Sequence, residues 1–150
     1  MKGSYMRFAV MIATATVVMF TLMYLNTYQL SHVHWSETRA YMALLMGAVM
    51  AVIMLAFMFK MYERRSANIG ILIGAAASFG VALYLVRSQA TVRDVAWMKA
   101  MIPHHSIAIL TSRRAQLSDP RVRKLADSIV DSQTREIGEM EALIVDLEKR

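Results

Sequence analysis

Two stretches of the C-terminal half carry the residue types with the most chemistry. The first runs Met98-Lys99-Ala100-Met101-Ile102-Pro103-His104-His105. The second runs Gln133-Thr134-Arg135-Glu136-Ile137-Gly138-Glu139-Met140. Thioether with imidazole favours Cu(I), while imidazole with carboxylate also suits Cu(II) or Zn(II). If the first stretch is one helix, Met98, Met101 and His105 share a face within about 60°, and His104 lies about 60° beyond Met101. Pro103 either frees the carbonyl of Lys99 and kinks that helix or opens a new one.

These residues need two helices to position them. Thr91-Val92-Arg93-Asp94 has the form of a capping box, and the pattern then runs to about Leu117. Asp119 suits an N-cap and Pro120 the first helical position, so a second helix is expected to about Glu148. So short a connection makes the pair antiparallel. At 100° per residue, Val122, Leu125, Ala126, Ile129, Ile137, Met140, Leu143, Ile144 and Leu147 share one face of the second helix, interrupted by Gln133 and Glu136. Buried polar groups need partners. With the turn centred near residues 118 and 119, His104 falls opposite Gln133, Met101 opposite Glu136, and Trp97 and Met98 near Met140.

The candidate metal ligands are therefore Met101, His104, His105, Met140 and Glu136. Met98 is a weaker candidate, and Gln133 a hydrogen-bonding partner that orients an imidazole. The alternative is a hairpin core in which His, Gln and Glu satisfy one another. An enzyme is not expected. The chain has no H-E-x-x-H, no phosphate-binding Gly loop, no nucleophile elbow and no Glu-x-x-His pair. It has no cysteine, so any soft-metal site must use Met and His.

Most of the remaining chain is committed to lipid. Hydrophobic residues make up 57% of the 150, and runs at about 8–25, 41–59 and 69–86 are nearly uncharged. Each is long enough, at roughly 27 Å, to cross a bilayer core. The reading is all-α: a membrane domain 1–87 with three transmembrane helices, then a hairpin domain 88–150 outside the bilayer. Tyr24, Tyr28, Trp35, Tyr41 and Tyr62 fall where an aromatic belt is expected. The first run lacks a small-x-small cleavage site and is read as retained.

Lys2 and Arg7 precede the first span and Lys60, Arg64 and Arg65 follow the second, against Arg39 alone in the first loop. The positive-inside rule places the N-terminus in the cytoplasm and the hairpin in the periplasm of a bacterial inner membrane. His32 and His34 then lie on the hairpin's side; as loop residues they are expected to be solvated, with a donor to the metal as the alternative. The net charge of +6 arises largely at span ends. From Arg87 onward basic and acidic residues nearly balance, so nucleic acid is not an expected partner.

Met42, Met46, Met50, Met54 and Met58 recur every four residues in the second span, and the third holds Gly70-x-x-x-Gly74. Facing lipid or packing between helices is the expected role, with the glycines permitting close approach; a soft-metal transport path is the alternative. Three spans with these two motifs resemble Ctr-type copper transporters, although the orientation is reversed and the C-terminal domain is foreign to them.

Asp94, Met101-Ile102-Pro103-His104-His105, Ala108-Ile109, Leu125-Ala126, Ile129, Gln133, Glu136-Ile137 and Met140 together resemble the domain of unknown function 305 over about residues 90–147. That family includes CopM-like periplasmic copper-binding proteins with a ferritin-like helical bundle. The resemblance implies Met101, His104, His105 and Met140 as copper ligands. The chain departs from the pattern at Thr111, where a Met is usual, which removes one soft donor. Longer members also contain more helices.

The function expected is membrane-tethered copper sequestration or delivery, with Cu(I) favoured and Cu(II) as the alternative, and with periplasmic copper-handling proteins as partners. A two-helix domain buries little core by itself, so homo-oligomerisation through the hairpin is also expected. The competing functions are a non-catalytic assembly module and a transporter using the Met stripe.

Overall fold

The computed structural model describes residues 4–149, so Lys2 lies outside the described residues. Among those described the chain is all-helical. The long helices are α1 (Tyr5–Leu22), α2 (Glu37–Phe57), α3 (Arg65–Ser88), α4 (Asp94–Arg114) and α5 (Pro120–Glu148), with single 3-10 turns at Leu30–His32 and Phe59–Met61. The first three are long and apolar enough to span a membrane. Each overlaps its expected run, displaced by a few residues at the ends.

The chain divides into two compact units, Met1–Met23 with Thr38–Thr91, and Tyr24–Glu37 with Val92–Arg150. The segment 24–37, read from sequence as a loop between spans, thus clusters with the C-terminal helices.

In the first unit α2 buries its smallest residues, Ala43, Gly47, Ala48 and Ala51, together with Leu55. The tight approach occurs at Gly47, where an added Cβ would collide with the Thr16 hydroxyl. Gly70 and Gly74 have open space beside them, so the Gly-x-x-x-Gly pair is not where the helices come closest. Met46, Met50, Met54 and Met58 are part-buried, and Met54 and Met58 pack against the cluster around Phe8 and Leu55. Tyr62 is only 4% exposed and meets Phe8 edge-on at 5.4 Å; it is a core residue here and not part of a belt. Beside it, Asn68 Nδ2 donates to the Tyr62 carbonyl at 2.8 Å, and the Tyr5 hydroxyl donates to Asn68 Oδ1 at 2.8 Å. These bonds satisfy a buried amide.

In the second unit α4 and α5 pack together around Met98, Ile102, Ile109, Val130, Ile137, Met140 and Ile144. Asp119 caps α5, accepting from the Arg121 backbone N–H at 2.8 Å, with Pro120 in the first turn as expected. The expected capping box at Thr91 does not form. Helix α4 begins at Asp94 with Arg93 as its N-cap, and the Thr91 hydroxyl is 2.8 Å from that of Tyr41. Pro103 lies inside a continuous α4, wholly buried.

Candidate metal site on the hairpin

His105 on α4 faces Glu136 on α5, with Nδ1 3.4 Å from Oε2. The expected register put Met101 there, so the helices meet about one turn further along. Side chains lean toward the N-terminus of their own helix. In an antiparallel pair this moves each meeting pair to later positions on both helices, the direction observed. Met101 precedes His105 by one turn and Met140 follows Glu136 by one turn. Met140 belongs to the core cluster and Met101 packs against it.

The candidate residues are thus only partly brought together. His105 and Glu136 are adjacent, with the two methionines one turn away. Met98 is buried in the same core. His104 is exposed, its ring 6.1 Å from that of His105. Gln133 is part-buried on the same flank as Glu136. Among the described residues no three His, Asp or Glu side chains gather closely enough to hold a metal ion. A metal held within one chain would therefore need the thioethers. The donor chemistry fits a soft ion: His105 Nδ1 is buried without a hydrogen-bond partner. Burial, and secondarily His104, lower the His105 pKa from 6.5, with Glu136 opposing. A neutral imidazole keeps a lone pair available.

The opposite flank of α4 was not legible in the sequence. Ser106 is wholly buried. Its hydroxyl accepts from the Tyr28 backbone N–H at 2.7 Å and lies 2.9 Å from His32 Nδ1. Arg113 donates to the Tyr28 hydroxyl at 2.6 Å. His32 is therefore buried and not solvated, and Tyr28 packs against the hairpin core and not in a belt. His34 Nε2 is also buried without a hydrogen-bond partner; burial, and next the charge of Lys99, lower its pKa. The one available sequence signal was Ser106 itself, a hydroxyl at core spacing between Ile102 and Ile109.

Residues 83–144 match the family described as Domain of unknown function (DUF305). An uncharacterized protein of Acanthamoeba polyphaga mimivirus is 39% identical over 66 residues, which is 43% of this chain and 43% of that protein. The chain thus spans under half the length of this curated relative. No solved structure matches. The similarity to the domain of unknown function 305 covers the last turns of α3, all of α4 and α5 as far as Ile144.

Proposed function

We propose that this protein is a membrane-anchored, non-catalytic metal-binding protein whose hairpin carries Cu(I) as cargo, in sequestration or delivery. The observation that carries the proposal is the His105–Glu136 pair beside two methionines. At 3.4 Å the two atoms are too far apart for a good hydrogen bond. Donors about 2.0–2.1 Å from one tetrahedral ion lie about 3.3–3.4 Å apart, so the separation suits two ligands of a shared metal. Met101 and Met140 supply the softness that selects copper over zinc. The CopM-like assignment, the bacterial inner membrane and a periplasmic hairpin belong to the same proposal, supported by the family similarity and the placement of Arg7, Lys60, Arg64 and Arg65.

The test is anaerobic Cu(I) titration of the full chain in detergent against a chromogenic competitor. Stoichiometric binding is expected, weakened at least about tenfold by His105→Ala and by Met101→Ala, a loss of about 1.4 kcal/mol each. Wild type that binds no Cu(I), or variants that bind as well as wild type, would overturn the proposal. The transport alternative rests on the Met stripe of α2. Copper flux into vesicles that falls when Met46, Met50 and Met54 become Leu would favour it over sequestration.

A further inference from the structure

Helix α5 carries an apolar stripe wider than the hairpin can cover. The contact with α4 centres on Ala126, Val130, Ile137 and Ile144, all buried. Segment 24–37 covers the flank that holds Ser106, Ile109 and Arg113. On the other flank the stripe overhangs: Val122 is 46% exposed, Leu125 61%, Leu143 53% and Leu147 37%. These four large side chains lie on one edge of one helix, Val122 and Leu125 near its start and Leu143 and Leu147 near its end, and such exposed apolar surface calls for an occupant.

The stripe is close to a palindrome. Reversed about a point between Thr134 and Arg135, Val122 falls on Leu147, Leu125 on Ile144 (one residue from Leu143), Ala126 on Leu143, Ile129 on Met140, and Gln133 on Glu136. Each of the four exposed apolar residues meets an apolar one, while the buried Val130 and Ile137, which face α4, fall on Glu139 and Ser132; the two polar interruptions meet each other as amide donor and carboxylate acceptor. A self-complementary surface is what a two-fold interface requires.

The charges have the same symmetry. The first third of α5 holds Arg121, Arg123 and Lys124 with no acid before Asp127. From Glu139 to Glu148 there are four acids and no base. Basic residues at a helix N-terminus and acidic ones at its C-terminus oppose the helix dipole. An antiparallel neighbour of the same sequence turns this arrangement favourable, setting the basic end of each copy against the acidic end of the other.

We propose that two copies of this chain pair through the open flank of α5, antiparallel about a two-fold axis between Thr134 and Arg135, to form a four-helix bundle. The interface sets Gln133 of each copy against Glu136 of the other, so each His105–Glu136 pair gains a residue it lacks within one chain. Pairing does not depend on bound metal.

The chain has no cysteine, which makes cross-linking unambiguous. The full-length Leu125→Cys/Leu143→Cys double variant in detergent is oxidised mildly, beside each single variant, while the wild-type mass in solution is measured. Within one helix the two positions are about 27 Å apart, and in the proposed dimer Leu125 of one copy is roughly 28 Å from Leu125 of the other. The expected result is a dimeric wild type and a linked dimer from the double variant, with each single variant linking at least about tenfold less, because a disulfide tolerates Cα separations only to about 7 Å. Efficient linking by Leu125→Cys alone would overturn the antiparallel register. A monomeric wild type with no linking by the double variant would overturn the dimer and leave lipid or another protein as the occupant.

Discussion

Ser106 Oγ lies 2.9 Å from His32 Nδ1, across 74 positions of sequence, and both residues are buried. The same oxygen accepts from the Tyr28 N–H. One hydroxyl thus holds two points of segment 24–37 against α4. Replacing Ser106 with Ala removes it and leaves a part-buried N–H and a buried imidazole nitrogen unpaired, which costs about 1–3 kcal/mol. The variant should melt earlier in detergent, and amide exchange at residues 28–34 should accelerate more than in the middle of α5. Unchanged exchange there would show that other contacts hold the segment.

His105 gives the hairpin a pH dependence of definite sign. Burial favours its neutral form and lowers its pKa below 6.5, despite Glu136. The unfolded chain then binds more protons than the folded one between the two pKa values. Stability is full above the unfolded value and falls as pH drops through and below it. His34, also lowered chiefly by burial, acts in the same direction. Thermal melts at about pH 7.5 and about pH 5.5 should differ, and His105→Gln should narrow the difference. Glu136→Gln should depress the His105 pKa further, which an imidazole proton titration by NMR would read directly. A rise in that pKa would mean that the carboxylate does not act on the ring.

Local signals in the sequence carried much of the architecture. Long uncharged runs located α1 to α3, and Asp119-Pro120 located the start of α5, because each depends on adjacent residues. Partnerships across the chain were less legible. Tyr62 sits at a span end by sequence, yet Phe8 and Asn68 draw it inside. Thr91 has the spacing of a cap, but its hydroxyl lies beside Tyr41. His32 looks like a loop residue until Ser106 is placed beside it. Of the candidate residues on the two facing helices only His105 and Glu136 meet, and the expected pairing missed by a turn, since side-chain lean moves contacts along both helices at once.

The Gly47–Thr16 approach makes a compensating pair testable. Thr16 Oγ1 is tied to the Ile12 carbonyl at 2.9 Å, so it cannot swing aside without losing that bond. Gly47→Ala should destabilise the α1–α2 contact by about 1–3 kcal/mol, as overpacking does. Thr16→Ala in the same chain removes the colliding oxygen and should restore most of the loss. Thermostability of the four forms in detergent supplies a double-mutant cycle. Additive effects would mean that the two residues do not meet.

Met140 separates packing from coordination. It is buried in the hairpin core, so a truncation would confuse a cavity with a lost ligand. Met140→Leu keeps volume and apolar character and should cost less than about 1.5 kcal/mol of stability. It also removes the thioether. If Met140 serves only as core, Cu(I) affinity should be unchanged. If it donates to the metal beside Glu136, affinity should fall at least about tenfold while the melt barely moves, because an alkyl group offers copper no lone pair. Met101→Leu should behave in the same way from the α4 side. Equal Cu(I) binding by both Leu variants would restrict the site to His105 and Glu136, and copper would then lose its advantage over zinc.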